Sequence, residues 1–333
     1  MNDAAPGAVT SGTMGWMEYM DAATESSLYR NGKVLTRRDK DGSDAGWVGV
    51  NRTRVEVPVH DARQLTGSAR HTLEHNGYEL LTQSHTIDHI DFFDHTQVVR
   101  EYYPQCVEII RGATGVQKVY AFDHNVRSAT GKQSKTRIAG GQQVQGPAHI
   151  VHGDYTLTSA AQRLRDLTKP PKTNDTLREV VLKESESLIP PAEAERVLAD
   201  GGRFAIVNVW RNIAQEPVET NPLALCDART VTVEDLVVFE IHYQDRIGEN
   251  YFAKHSPRHR WYYYPKITRG EALLIKQWDS AGPMARSRGV WPDSADPVAP
   301  CTFSFHTAFE DPSTRPDAPD RWSIEVRCFV LYD

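Results

Sequence analysis

The sequence predicts a mainly β protein, a compact sandwich or barrel with helices gathered mostly in its N-terminal half. Two observations carry that reading. From Phe204 onward, seven runs rich in β-branched and aromatic residues follow one another, each bounded by Pro, Gly, Asn or Asp: FAIVNVWRNI, PLALCDART, LVVFEIHY, HRWYYYP, EALLIKQWDS, TFSFHTAF and WSIEVRCFVLY. Upstream, VNRTRVEVPVHDA alternates Val55, Val57 and Val59, the period of a half-buried strand. A chain with this balance closes its core between sheets and keeps its helices on the flanks.

Taken in order, residues 1 to about 45 are rich in Gly, Ser, Asp and Ala and read as a loose arm with one short helix around Met17 to Tyr29. HNGYELLTQSH is a short strand that follows a turn at Asn76-Gly77. Between residues 94 and 112, the spacing of Val98, Val99, Tyr102, Val107, Ile109 and Ile110 around Pro104 predicts a helix pair or a kinked helix ending at Gly112. VQKVYAFDHNVRS is a strand, followed by a Gly- and Gln-rich loop. TSAAQRLRDL is helical, the charged stretch 168–190 is a surface excursion, and PAEAERVLAD is a short helix with proline just inside its start. There is no internal repeat and no clean linker. The expectation is one domain over 46–333: mixed support over 46–148, then a β core over 149–333 broken by excursions near 168–200 and 281–300.

Composition narrows the function. The 333 residues are enough for a sizeable core. With 38 basic against 44 acidic residues and a formal net charge of −6, the chain lacks the basic footprint of a nucleic-acid binder. Cys106, Cys226, Cys301 and Cys328 have no paired spacing and read as free thiols in a reducing compartment. No stretch approaches the roughly 18 apolar residues of a membrane span, and the N-terminus lacks the pattern of a signal peptide. The expected setting is cytoplasmic, with a small-molecule substrate and neither nucleic acid nor membrane as partner. Oligomeric state is left open, a homodimer being one option.

The chemistry begins at HIVHGDYT, residues 149–156. On a strand, residues two apart point to one side, so His152 and Asp154 can reach a single ion. A non-haem iron site needs two imidazoles and one carboxylate on one face of the metal. The second imidazole must come from downstream, where His242, His255, His259 and His306 remain. His306 stands out because Arg321-Trp322-Ser323 follows it and opens the last strand. Arg321, Ser323, Glu325 and Arg327 share one face of that strand, and Trp322, Ile324, Val326 and Cys328 the other. A guanidinium beside a hydroxyl is a clamp for a carboxylate.

This order of His-x-Asp, late His and Arg-x-Ser resembles the iron(II)/2-oxoglutarate-dependent oxygenases. With FDHNVR, HGDYT, NVWRNI, PLALCDART, HRWYYYP, EALLIKQWDS, HTAFEDP and RWSIEVR, it is similar to a branch of natural-product tailoring oxygenases. That branch includes a fungal meroterpenoid endoperoxidase, a gibberellin-desaturase-like group and a component of cephamycin methoxylation. The likeness runs from about Asn76 to the C-terminus. It implies a double-stranded β-helix (jelly-roll) core with flanking helices. It also implies iron(II) on His152, Asp154 and His306, 2-oxoglutarate as co-substrate on Arg321 and Ser323, and O2 as oxidant. Hydroxylation is the default outcome, with desaturation and ring or peroxide formation as variants. His306 lies 154 positions after His152, long for that family, which keeps His259 and His242 open as the distal ligand. The rival readings are an iron oxidase that does not consume 2-oxoglutarate and a non-catalytic β-sandwich subunit that binds a metabolite or a partner enzyme.

Other polar residues have plainer readings. In HTIDHIDFFDH, Asp88 or Asp91 reads as a helix cap and the histidines as surface. His255 and His259 have zinc-like helical spacing, but Pro257 argues against a helix. Asn125, Arg127, Asn208, Trp210 and Lys276 are the candidates for substrate contact, each balanced against a role in the core.

Overall fold

The computed structural model describes residues 12–38, 44–45, 51–82, 86–172, 175–178, 180, 182–183, 185–242 and 246–333. Its strands are β1 (Gly12–Met20), β2 (Val34–Arg38), β3 (Asp44–Ala45), β4 (Arg52–Asp61), β5 (Tyr78–Leu81), β6 (Lys118–Arg127), β7 (His152–Gly153), β8 (Phe204–Asn212), β9 (Leu223–Cys226), β10 (Leu236–His242), β11 (Ile247–Ala253), β12 (Trp261–Tyr263), β13 (Ala272–Asp279), β14 (His306–Ala308) and β15 (Ser323–Leu331). The helices are α1 (His95–Gln97), which runs through a π-helical segment, Val98–Tyr102, into α2 (Tyr103–Thr114), then α3 (Ala129–Gln133), α4 (Ser159–Asp166), α5 (Pro191–Leu198) and α6 (Pro283–Arg286).

The strands form two sheets. The larger has the order β1-β4-β12-β9-β14-β7-β11-β10-β2-β3, the smaller β5-β13-β8-β15-β6. This is the jelly-roll core, with neighbours distant in sequence brought together by crossovers. Each of the seven strand-like runs after Phe204 contains one of these strands. β15 shows how the pattern works. Ile324, Val326, Cys328 and Val330 pack with Tyr103, Cys106 and Ile110 of α2, while Phe329 and Leu331 join Tyr251, Phe303 and Phe305 in the core shared by the two sheets. Burying each such aliphatic or aromatic side chain contributes roughly 1.5–3 kcal/mol. On that inner face the last strand also carries Ser323, Glu325 and Arg327, all buried.

Three expectations are corrected. The N-terminal arm is not loose over its described residues and has no helix at Met17–Tyr29: β1 pairs along its whole length with β4 and β2 pairs in parallel with β10. Buried Gly15, Met17 and Tyr19 alternate with less buried neighbours, and that period of two outweighs the helix-like composition. Residues 1–11, also assigned to the arm, lie outside the described residues. The kinked helix ends at Gly115 rather than Gly112, because Gly115 adopts φ +73° and its N–H closes on the Arg111 carbonyl. Pro104 sits in the first turn of α2, and the irregularity in the helix is the π segment before it. Finally, β11 (IGENYFA) was not expected. Its polar start hid it; Glu249 is nevertheless buried, held by Arg30 and the Thr156 hydroxyl. No helix among the described residues is long and apolar enough to cross a membrane.

Candidate metal centre

β7 and β14 are adjacent and antiparallel, and the register sets His152 directly opposite His306. The two rings lie 4.4 Å apart, centroid to centroid. Asp154 follows β7 by one residue, on the His152 side. Gly153 between them lies against Phe303: a Cβ there would come within 3.0 Å of the ring. His152, Asp154 and His306 each offer one ligand atom, and those atoms lie within 4.8 Å of one another. The long interval between the histidines is therefore absorbed by the strands and excursions between them.

The donor set is made ready by its surroundings. His152 Nδ1 bonds the Ile150 carbonyl at 2.8 Å. That places its proton there and leaves Nε2, 3.7 Å from Asp154 Oδ1, with its lone pair. Burial, then His306, pushes His152 down to about 4, and burial also lowers His306, so both imidazoles are neutral at physiological pH. Burial opposes ionisation of Asp154, but the Arg327 guanidinium, together with His306, His152 and the Asn208 hydrogen bond, outweighs it, and the carboxyl is held well below the usual range. Two neutral nitrogens and one carboxylate oxygen suit iron(II).

Arg321 and Ser323 are 2% and 1% exposed. The Arg321 backbone N–H donates to Thr220 Oγ1 at 2.9 Å, its Nη1 donates to the Asn221 carbonyl, and the guanidinium lies 5.8 Å from the Trp210 ring centroid. Arg321 Nε and Ser323 Oγ have no hydrogen-bond partner within the protein, and neither does the buried His149 Nδ1. Among the described residues no carboxylate forms an ion pair with Arg321; burial, then Arg127, lowers it to about 10, with Asp320 and Glu325 acting weakly the other way. A buried guanidinium and hydroxyl left this way fit an anionic ligand group. A cavity of about 490 Å³ opens onto His152 and Asp154, with Asn125, Arg127, His149 and Arg327 in its wall.

The other candidates separate. Asn125 and Arg127 line the cavity. Asn208 Nδ2 donates to Asp154 Oδ2 at 3.2 Å, and Trp210 stacks by Arg321. Lys276 is no cavity residue: its buried Nζ bonds Glu74 at 2.7 Å and Asp279 at 3.0 Å. His242 bonds Glu240 and His259 lies 3.3 Å from Asp235, so neither joins the cluster. In the upstream HTIDHIDFFDH segment the cap is Asp94, which accepts from Thr96 and Gln97 N–H, rather than Asp88 or Asp91. His95 is buried on the Thr176 carbonyl, contrary to the surface expectation. His85 lies outside the described residues. Sequence reasoning gave no role to His149, Gln277, Asp123 or Arg327. Only Arg327 carried a signal, a charge on the buried face shared with Ser323.

Known proteins point the same way. The family model described as "Oxidoreductase/YMDC permease-like domain" matches residues 17–184 and 174–331. An uncharacterized protein in the dcmA 3' region of Methylophilus leisingeri is 44% identical over 197 residues, 59% of this chain and 89% of that protein. The alpha-ketoglutarate-dependent dioxygenase phiK of a fungal species is 31% identical over 268 residues, 78% of this chain and 79% of that one. The solved structure of the iron and alpha-ketoglutarate-dependent endoperoxidase NvfI superposes with a TM-score of 0.69 at 23% identity, covering 96% of this chain and 98% of that one. That likeness is one of fold.

Proposed function

The chain belongs to the oxidoreductase family of the matching model and is an iron(II)- and 2-oxoglutarate-dependent dioxygenase, and from that premise we propose that it oxidises a small natural-product intermediate at a centre held by His152, Asp154 and His306. The single observation that carries the assignment of residues is the convergence of two neutral imidazoles and one ionised carboxylate within 4.8 Å on adjoining strands.

Iron(II), 2-oxoglutarate and O2 together supply an oxidant able to take hydrogen from carbon, with succinate and CO2 as co-products. The chain's own residues do the rest. Arg321 and Ser323 would receive the far carboxylate of 2-oxoglutarate; their lack of protein partners for Nε and Oγ supports this. It also speaks against an iron oxidase that has no use for the co-substrate. Asn125 and Arg127 would meet the substrate from the cavity wall. A volume of about 490 Å³ suits a mid-sized organic molecule. Four free, buried cysteines support a reducing, cytoplasmic setting.

The test is succinate release from 2-oxoglutarate in the presence of iron(II) and O2, first without and then with candidate small molecules. Turnover that requires iron and vanishes in His306→Ala is expected. Iron-dependent oxidation without succinate would favour the oxidase reading, and neither reaction would favour the binding subunit.

A further inference from the structure

Arg327, on β15, lies six residues beyond Arg321, which precedes that strand, and its surroundings are of the opposite kind. Its Nε donates to Asp154 Oδ2 at 3.0 Å, Nη1 to Asp123 Oδ2 at 3.2 Å and Nη2 to Glu325 Oε1 at 3.2 Å. Asn125, with its amide turned so that both ends are satisfied, accepts from Nη1 at 2.9 Å and from Nη2 at 3.1 Å. Every nitrogen of the guanidinium is used, so the group cannot swing toward a ligand. Thr176 Oγ1 in turn holds Asp123 through its other oxygen.

The consequence falls on Asp154. Its Oδ2 accepts two hydrogen bonds, from Arg327 Nε and from Asn208 Nδ2, while its backbone N–H is tied to Gln277 Oε1 at 3.1 Å. Oδ1 is the oxygen that faces His152. A carboxylate with one oxygen occupied by two donors has only the other to give to a metal.

We propose that Arg327 and Asn208 are positioning residues that restrict Asp154 to a single metal-binding oxygen and so keep a coordination position open for the reactants. The inference rests on reading His152, Asp154 and His306 as the metal set. Outer partners of this kind typically change metal affinity about 10–100-fold when removed.

The test uses the full chain and cobalt(II) as an anaerobic probe, whose visible absorption reports coordination number. Asn208→Ala, Arg327→Lys and Arg327→Met are compared with wild type for affinity and spectrum, with circular dichroism and Tm as the record of folding. Arg327→Met strands Asp123 and Glu325 and is the variant most exposed to misfolding; Asn208→Ala leaves that network whole. The expected result is cobalt affinity weakened about 10-fold in Asn208→Ala and up to about 100-fold in the Arg327 variants. Their spectra should shift toward the form in which both Asp154 oxygens bind, with Arg327→Lys nearer wild type than Arg327→Met. Folded variants with wild-type affinity and spectrum overturn the proposal. If wild type itself binds no cobalt, the metal-set reading has failed instead.

Discussion

Arg321 stands two residues before β15 and Arg327 within it, and the structure gives them opposite electrostatic positions. Arg327 is surrounded by Asp123, Asp154 and Glu325, and its charge is consumed internally. Arg321 has a carbonyl and an aromatic face, and among the described residues no carboxylate forms an ion pair with it, Asp320 and Glu325 acting only weakly. That buried charge without an ion pair is the one available to a dianionic co-substrate. Arg321→Ala should therefore weaken 2-oxoglutarate binding by about 100-fold, the loss of two charge-assisted hydrogen bonds, and leave iron affinity unchanged; isothermal titration with each ligand separates the two. Equal weakening of both would place Arg321 in the metal's support instead. The sequence made the face shared by Ser323, Glu325 and Arg327 legible, since period two is local, but not the division of labour. That division depends on Asp123, which comes from β6, and on Asp154, which follows β7.

At the scale of elements, the site exists because β14 lies between β7 and β9, setting His306 opposite His152 on one side and Leu225 on the other. Nothing local to HGDYT or FSFHTAF encodes that adjacency, which is why the long interval kept His242 and His259 open beside His306. The turn at Asn76-Gly77 was legible, and the structure shows what it supports. Gly77 has φ +89°, a Cβ there would stand 2.8 Å from Ser304 Cβ, and its carbonyl accepts the Lys276 N–H. Gly77→Ala should cost about 1–3 kcal/mol through backbone strain and overpacking, read as a lower urea midpoint. It should also loosen the Ser304–His306 approach to the metal, read as weaker iron binding. An unchanged midpoint would show that the turn relaxes freely. By contrast, β1 was misread because the Gly, Ser, Asp and Ala content of residues 1 to about 45 suggested a loose arm, while its pairing with β4 is a tertiary fact.

At the scale of the whole molecule, the interior keeps several histidines neutral. Burial is the main cause in His71, His124 and His152, each lowered to about 4 from an ordinary value of 6.5. As pH falls below 6.5, the unfolded chain gains protons at these positions that the folded chain does not accept until about 4. Stability of the metal-free protein should thus be full above about 6.5 and decline as pH falls from about 6.5 to about 4. A series of Tm values across that window checks it, and a flat profile would mean that these rings are protonated in the fold. The seven late strands were legible because strand periodicity and aromatic content survive in any topology; the jelly-roll class came only with the resemblance to the oxygenases. The order of strands in the sheets was not.

The measurement that bears most directly on the account is an anaerobic titration of the metal-free protein with iron(II) and then 2-oxoglutarate, following the weak visible charge-transfer band that forms when both occupy one centre. The account predicts the band in wild type and in His259→Ala, and its loss in His306→Ala. A band that survives in His306→Ala and disappears in His259→Ala, or no band in wild type, would contradict it.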